Sequence, residues 1–262
     1  MKISSTKNSQ IKYLKQLQSK SKLRVGDARF VVEGVREIEM ALTYNYQIEK
    51  VFFAENLYQS DLNFSDKTEV ISISTDVYQH LAYRSSTEGV VALCKSPKHN
   101  LKHLKFKASN PLVLVLESPE KPGNIGAILR TADATQVDAI IIANPKTDLY
   151  NPNTIRASLG AVFSNQIALG SSKEVYAFLK EHSFYMYSAT LQNSNSYLNE
   201  DYKNNTAFVM GSEAYGLTEF WRNQPDIQAI NIPMLGQIDS MNLSVSTAVL
   251  TFEALRQRRS KV

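Results

Sequence analysis

The sequence predicts an α/β protein in which a small α/β domain precedes a larger domain with a mostly parallel sheet. Apolar runs that are typical of strands alternate with amphipathic, helix-like stretches along the 262 residues, as in strand–helix repeats. In the second half these runs are continuously apolar, which favours strands covered on both faces. A segment that is rich in Lys and free of acids interrupts the alternation. We therefore expect domains at residues 1–96 and 111–262, joined by a linker at 97–110.

The first domain is expected to begin with a basic amphipathic helix. Ile11, Leu14 and Leu17 are spaced for one apolar face of a helix over residues 8–24. Strands and helices then alternate in a unit of roughly 90 residues. The predicted strands lie at 30–32, 48–54, 70–74 and 89–94, and the predicted helices lie at 34–43 and from Thr75 onward.

The second domain opens on Pro111–Glu117, a run whose central residues are all Leu or Val. Similar runs recur with helical patterns between them, which predicts a parallel sheet covered by helices. A long final helix is predicted over 242–258. The other predicted strands lie at 139–143, 166–169, 184–189, 207–210 and 227–232, and the other predicted helices lie at 123–134, 154–163, 173–181 and 218–223.

Composition excludes several classes of protein. Hydrophobic residues make up 43% and charged residues 21% of the chain, as in ordinary globular proteins. No run approaches the roughly 18 apolar residues of a membrane span, and the N-terminus lacks the apolar core of a signal peptide. We therefore expect a cytoplasmic protein without membrane contact. Cys94 is the only cysteine, and His99 and His103 fall in the linker as expected solvated residues, so we expect no metal site.

Basic residues are concentrated at the start of the chain. Residues 1–110 contain 17 Lys and Arg against 11 Asp and Glu, whereas residues 111–262 contain 12 against 14. Such a cluster attracts phosphate backbones through Coulomb forces and counterion release. A solvated helix face explains the pattern equally well. On the first interpretation, Lys12, Lys15 and Arg24 are candidate contacts to a nucleic acid.

Chemistry-bearing residues cluster at three predicted strand ends, where the ligands of α/β sheets bind. Asn124 lies near the start of a helix whose free N–H groups suit an anion, and Arg130 follows about one and a half turns later. Glu213 follows another strand, where a carboxylate has little packing purpose. Ser240 and Asn242 precede the final helix. Helix capping is the simpler explanation for the amides, the serine and the glutamate, and an ion pair is the simpler explanation for Arg130.

These three clusters, in this order, resemble the motifs of the SpoU (TrmH-like) RNA methyltransferases, a family of the SPOUT superfamily. The likeness runs from Pro111 to the C-terminus. The segments Phe30–Gly34 and Thr87–Ala92 resemble the small RNA-binding domain that precedes the catalytic domain in many members. The motifs read Asn124-x-Gly126-x3-Arg130, Gly211-Ser-Glu213-x2-Gly216 and Ile232-Pro-Met-x-Gly236-x3-Ser240-Met-Asn242-x-Ser244-Val-Ser246.

The resemblance implies an enzyme that transfers a methyl group from S-adenosylmethionine to a ribose 2′-hydroxyl of a structured RNA. It also implies a trefoil knot in the C-terminal domain, a rare exception to the rule against threaded chains, and a homodimer that buries the last helix. The 2′-hydroxyl distinguishes RNA from DNA. Because a basic domain suits a large folded target, we expect 23S ribosomal RNA before transfer RNA.

The resemblance assigns roles to individual residues as well. It makes Arg130 the central catalytic residue, positioned by Asn124 and surrounded by Glu213, Ser240 and Asn242. A guanidinium is a poor base, so we favour Arg130 as the group that holds a phosphate and polarises the hydroxyl. Arg156 is a further candidate RNA contact, with a structural ion pair as the alternative. The implied cofactor-binding residues are Ala189, Thr190, Gly211, Ile232 and Met241.

The sequence leaves three alternative functions. A dinucleotide-dependent oxidoreductase is disfavoured because the sequence lacks a G-x-G-x-x-G after a strand. A non-catalytic RNA-binding or ribosome-assembly factor is disfavoured because the polar set is intact. A methyltransferase that confers antibiotic resistance would have the same chemistry on a specialised ribosomal target, and the sequence does not separate it from a housekeeping enzyme.

Overall fold

The protein is described by a computed structural model that covers residues 2–83, 88–191 and 193–259. It divides into two compact units. The first comprises Met1–Lys98 and Asp148–Ser164, and the second comprises His99–Thr147 and Asn165–Val262. The linear boundaries expected at residues 96 and 111 do not account for the second segment of the first unit, and they stay a prediction. In the described ranges, no helix is long and apolar enough to cross a membrane.

The first unit is built on a mixed four-stranded sheet with the order β1-β4-β2-β3. The basic N-terminal segment forms two helices, because the chain is extended at Lys20. Ile11, Leu14 and Leu17 are buried, as their spacing predicts. The elements are α1 (Ser9–Ser19), α2 (Ser21–Asp27), β1 (Arg29–Glu33), α3 (Val35–Thr43), β2 (Ile48–Phe53), β3 (Glu69–Ser72), α4 (Thr75–Leu81), β4 (Val90–Lys95), α6 (Pro152–Ser158) and α7 (Ala161–Ser164).

The second unit is built on a seven-stranded sheet with the order β7-β6-β5-β10-β8-β11-β9, in which every paired strand is parallel. The predicted mostly parallel α/β fold is therefore confirmed. Its elements are β5 (Leu112–Glu117), α5 (Pro122–Thr135), β6 (Ala139–Ala143), β7 (Ile167–Gly170), α8 (Ser172–Glu181), β8 (Tyr185–Ala189), β9 (Asn195–Ser196), β10 (Thr206–Met210), α9 (Glu219–Arg222), β11 (Ile227–Asn231) and α10 (Leu243–Arg259).

Strand order explains why distant segments of the chain meet. β10 lies between β5 and β8, so the chain returns to the middle of the sheet after it has built β6 and the edge strand β7. All residues of β5, β6 and β10 are buried, as expected for strands covered on both faces. Because parallel strands end at the same edge, the loops after β5, β8, β10 and β11 all open there.

The expected linker is only partly solvated: His103 is exposed as expected, but other residues pack down. His99 is half-buried and its ring nitrogen Nδ1 lies 3.0 Å from the carbonyl oxygen of Ile167. Burial lowers the pKa of His99, although the hydrogen bond acts in the opposite direction. Leu101 and Phe106 pack against the core of the second unit. The apolar residues scattered among the lysines explain why this segment packs down.

Candidate active site

A cavity of about 410 Å³ lies at the carboxyl edge of the parallel sheet. Its size is within the roughly 300–1,000 Å³ of small-molecule sites. The loops that follow β8, β10 and β11 line it, together with the first turns of α10. The lining includes every residue that was predicted to bind the cofactor, namely Ala189, Thr190, Gly211, Ile232 and Met241.

The loop after β10 turns its backbone toward this cavity. Ser212 and Gly216 exchange two backbone hydrogen bonds of 3.0 Å, and Gly216 has a φ of +65°. A Cβ on Gly211 would lie 2.2 Å from the carbonyl carbon of Gly216. Only glycine therefore fits at position 211, where the loop offers its backbone to the cavity without a side chain.

Three polar side chains from three separate segments of the chain meet beside the cavity. The amide of Asn124, the third residue of α5, donates to Glu213 Oε1 at 2.7 Å. Asn242, just before α10, donates to Asn124 Oδ1 at 3.1 Å. Helix capping does not explain Asn124 or Glu213, because α5 and α9 begin after Lys121 and Thr218. Asn242 also accepts from the backbone N–H of Ser244, as a capping residue does.

The hydrogen bonds keep Glu213 ionised. Burial raises the pKa of Glu213, but the bond from Asn124 and bonds from the backbone N–H groups at positions 213, 120 and 121 lower it by more. The net pKa is below the ordinary range of a glutamic acid. A carboxylate at this place puts a negative charge next to the cavity.

The other two predicted catalytic residues do not join this cluster. Ser240 lines the cavity, is exposed, and bonds to Asp239 at 3.2 Å. Arg130 is exposed on α5, about 9 Å along the helix axis from Asn124. Within the described residues it makes no hydrogen bond or ion pair. The alternative of an ion pair for Arg130 is therefore not found among the described residues.

The predicted RNA contacts have different environments. Lys12 and Arg156 are exposed, whereas Lys15 donates to the carbonyl oxygen of His80 at 2.8 Å. Arg24 is 4% exposed and holds Asp148 at 2.5 Å. The assignment of Arg24 as an RNA contact is therefore corrected, since its charge is used inside the first unit.

A second carboxylate at this edge, which is buried, was not predicted from the sequence. Glu117, the last residue of β5, is 1% exposed. It accepts from the hydroxyl of Ser172 at 3.0 Å and from the hydroxyl and backbone N–H of Thr218 at 2.7 and 2.8 Å. Ser172 in turn accepts from Trp221 Nε1 at 3.0 Å. An acid that ends an otherwise apolar strand was the available signal.

Comparison with known proteins identifies the family. Residues 111–252 match the model described as the SpoU rRNA Methylase family, and residues 8–92 match the MRM3-like substrate binding domain. The chain belongs to the SpoU rRNA methylase family. The expectation of an S-adenosylmethionine-dependent RNA methyltransferase is therefore confirmed.

Similar proteins match almost the whole chain. The 23S rRNA (guanosine(2553)-2′-O)-methyltransferase RlmP of Bacillus subtilis is 26% identical, and the match covers 95% of this chain and 97% of the relative. The 23S rRNA (uridine(2479)-2′-O)-methyltransferase of Streptomyces viridochromogenes is 26% identical, over 97% and 92%.

Solved structures are similar over the same extent. A crystal structure of an RNA 2′-O ribose methyltransferase is 34% identical, with a TM-score of 0.81 and coverage of 98% and 99%. The AdoMet-bound rRNA methyltransferase from Sinorhizobium meliloti is 25% identical, with a TM-score of 0.88 and coverage of 99% of both chains.

Proposed function

We propose that this protein methylates a ribose 2′-hydroxyl of 23S ribosomal RNA, in the cytoplasm, with S-adenosylmethionine as methyl donor. The observation that carries the proposal is the junction of Asn124, Glu213 and Asn242 beside a cavity that contains the predicted cofactor residues. The two curated relatives described above are both named as 23S rRNA 2′-O-methyltransferases, and their likeness includes the N-terminal domain. This favours ribosomal RNA over transfer RNA.

The lining of the cavity fits this cofactor. Met210, Leu217 and Leu250 offer apolar surface for an adenine ring, and the backbone around Gly211 offers hydrogen-bonding groups. The ionised Glu213 lies at the same cavity, where it favours a positively charged group. When bound, S-adenosylmethionine supplies a methyl group on a positively charged sulfur.

The protein contributes alignment more than acid–base chemistry. In this proposal the exposed guanidinium of Arg130 holds a phosphate of the RNA through its planar fork and polarises the neighbouring 2′-hydroxyl. The hydrogen-bonded chain from Glu213 through Asn124 to Asn242 fixes the start of α5, the helix that carries Arg130. Holding the hydroxyl in line with the methyl group is itself a large catalytic effect.

The family resemblance also supports a knotted C-terminal domain and a homodimer. α10 has apolar side chains on its exposed face, where Val245 and Phe252 are each about half exposed. Covering this face with a second copy removes apolar surface from water. Analytical sedimentation of the wild-type chain and of Phe252→Glu would measure the oligomeric state. We expect a dimer for the wild type and a monomer for the variant. A wild-type monomer at micromolar concentration would contradict the dimer.

Methyl transfer from labelled S-adenosylmethionine to purified 23S ribosomal RNA and to transfer RNA tests the function. We expect label in the ribosomal RNA, on a 2′-oxygen whose modification is lost from cells without the gene. Arg130→Lys should lower turnover at least about 100-fold because lysine lacks the bidentate fork. Arg259→Lys, at an exposed position of α10, is the matched control.

Two outcomes would contradict the proposal. Near-wild-type turnover of Arg130→Lys would remove the need for the fork. If calorimetry detects no binding of S-adenosylmethionine, the protein is a non-catalytic RNA-binding factor and not an enzyme.

A further inference from the structure

The lysine-rich segment before β5 takes no part in the cofactor cavity or in the polar cluster beside it. Residues 95–110 contain five lysines and no acid. We call residues 99–107, the part of this segment that belongs to the second unit, the basic strap. The strap runs along β7, the edge strand of the parallel sheet. Its composition and its place at the sheet edge raise the question of what it binds.

Hydrogen bonds fix the backbone of the strap at two points. The carbonyl oxygen of His99 accepts from the backbone N–H of Leu169 in β7 at 2.9 Å. The side chain of Gln166 accepts from the backbone N–H of Lys105 at 3.0 Å and donates to the carbonyl oxygen of the same residue at 2.9 Å. The lysines of the strap therefore project from an ordered backbone and not from a flexible linker.

The apolar side chains of the strap face the protein, and the basic ones face the solvent. Leu101, Leu104 and Phe106 pack against the core of the second unit. The residues that alternate with them are left on the outside, so the packing of the apolar side chains decides where the charges lie. The exposed basic residues of the strap are Lys102, His103, Lys105 and Lys107.

The three lysines of the strap are unpaired. In the part of the chain that the structure describes, their ammonium groups make no ion pair and no hydrogen bond. Two other exposed lysines of the same unit do have carboxylate partners: Lys146 binds Glu120 at 2.7 Å, and Lys180 binds Asp226 at 2.6 Å. Like charges on one surface repel each other. An anion bound to the strap would offset this repulsion.

Protection of the sheet edge explains the strap only in part. A covering segment and a few charges keep an edge strand from pairing with another chain. The backbone contacts between the strap and β7 already provide the cover. Charges of either sign would serve the same purpose, so edge protection does not explain five lysines without an acid.

We propose that the basic strap binds the phosphate backbone of the RNA substrate, as a contact surface of the methyltransferase unit outside the active-site cavity. Ammonium groups that neutralise phosphates release counterions, whatever the base sequence. The ordered backbone of the strap lowers the entropy that binding costs. An anionic membrane fits less well, because none of residues 99–107, all of which the structure describes, is an exposed large apolar side chain that could insert. The inference rests on the proposed function in that it takes RNA as the substrate.

The salt dependence of RNA binding tests the proposal. Full-length wild type and Lys102→Gln/Lys105→Gln are titrated with a fluorescent RNA duplex between about 50 and 200 mM salt, without cofactor. Each lost phosphate contact should reduce the slope of log affinity against log salt by about 0.9. We therefore expect the slope of the variant to be smaller by about 1.8 and its affinity at least about tenfold lower. An unchanged slope would overturn the proposal.

Lys67→Gln/Lys203→Gln is the matched control. It removes the same charge at two exposed positions outside the strap. The control should keep the slope and the affinity of the wild type, and circular dichroism should show the same fold for all three proteins. An equal loss in the control would reduce the effect to net charge and would overturn the assignment to the strap.

Chemical acetylation locates the contact without any substitution. Acetic anhydride modifies exposed lysines, and mass spectrometry compares the modification of the wild type with and without the RNA duplex. We expect the RNA to protect the three lysines of the strap and to leave Lys67 and Lys203 reactive. If the lysines of the strap react equally with and without RNA, the strap is not the contact.

Two further measurements separate this inference from its neighbours. Cosedimentation of the wild type with vesicles of phosphatidylcholine and phosphatidylglycerol, together with an unchanged RNA slope of the strap variant, would assign the strap to a membrane and overturn the proposal. Methyl transfer to 23S ribosomal RNA by the wild type is measured separately. Methyl transfer with an unchanged slope in the variant would sink this inference alone. A slope that depends on the strap, without methyl transfer, would sink the proposed function alone.

Discussion

Two glutamates at the same edge of the parallel sheet have opposite surroundings. Glu117 is buried and receives three hydrogen bonds from Ser172 and Thr218. Glu213 is partly exposed, lines a cavity and receives its side-chain hydrogen bond from Asn124. Glu117 is enclosed by protein and out of reach of a ligand, whereas Glu213 is accessible from the cavity. The comparison shows that the position at a strand end does not by itself distinguish a structural acid from a functional one.

The difference originates in the chain connections. Glu117 is the last residue of β5, between two buried neighbours in the sheet, so its side chain stays among packed elements. Gly211 and Ser212 separate Glu213 from the end of β10 and carry it into the loop at the cavity. Two small residues therefore decide which of the two acids reaches a ligand.

The largest effect is expected from Glu117→Ala. This change leaves the N–H and hydroxyl of Thr218 and the hydroxyl of Ser172 without their acceptor, which should lower the free energy of unfolding by about 3–5 kcal/mol. The melting temperature should fall by about 10 °C. Calorimetry measures both quantities, and Glu181→Ala, at an exposed position, is the control. A loss under about 1 kcal/mol would show that the network around Glu117 is not structural.

Glu213→Gln should lower turnover and leave the stability of the fold nearly unchanged, the opposite of Glu117→Ala. Glutamine can still accept from Asn124, so the melting temperature should stay within about 2 °C of wild type. The lost negative charge and the lost second acceptor should lower turnover about 100-fold, or about 2.7 kcal/mol. Single-turnover methylation of 23S ribosomal RNA is the measurement, and Glu219→Gln on α9 is the control. Turnover within twofold of wild type would place Glu213 with Glu117 as a purely structural acid.

Asn242→Asp separates the two roles of Asn242. Aspartate still accepts from the backbone N–H and hydroxyl of Ser244, so the start of α10 should keep its stability. It cannot donate to Asn124, so the chain of hydrogen bonds to Glu213 loses its last link. We expect kcat/KM to fall about tenfold, or about 1.4 kcal/mol. An unchanged kcat/KM would mean that Asn242 only caps the helix.

The sequence predicted the strands well because their apolar runs are local signals. It could not place Asn124, Glu213 and Asn242 together by periodicity, since their meeting depends on the insertion of β10 between β5 and β8. The resemblance to a known family supplied that information. The burial of Arg24 was missed because its partner Asp148 is 124 residues away, and the packing of the linker was missed because lysines mask its apolar residues.

The smallest expected effect is the pH dependence of the stability that Glu213 contributes. Because the net pKa of Glu213 is lowered in the folded protein, its ionised form contributes stability that is fully present above the ordinary glutamate pKa of about 4.3. This contribution is lost as the pH falls through the lowered pKa. The difference in unfolding free energy between wild type and Glu213→Gln should therefore be constant from pH 7 to about pH 5 and shrink only below. If the difference in unfolding free energy already shrinks near pH 6, burial outweighs the hydrogen bonds and raises the pKa of Glu213. Glu213 would then be protonated in the pH range where the enzyme needs its negative charge.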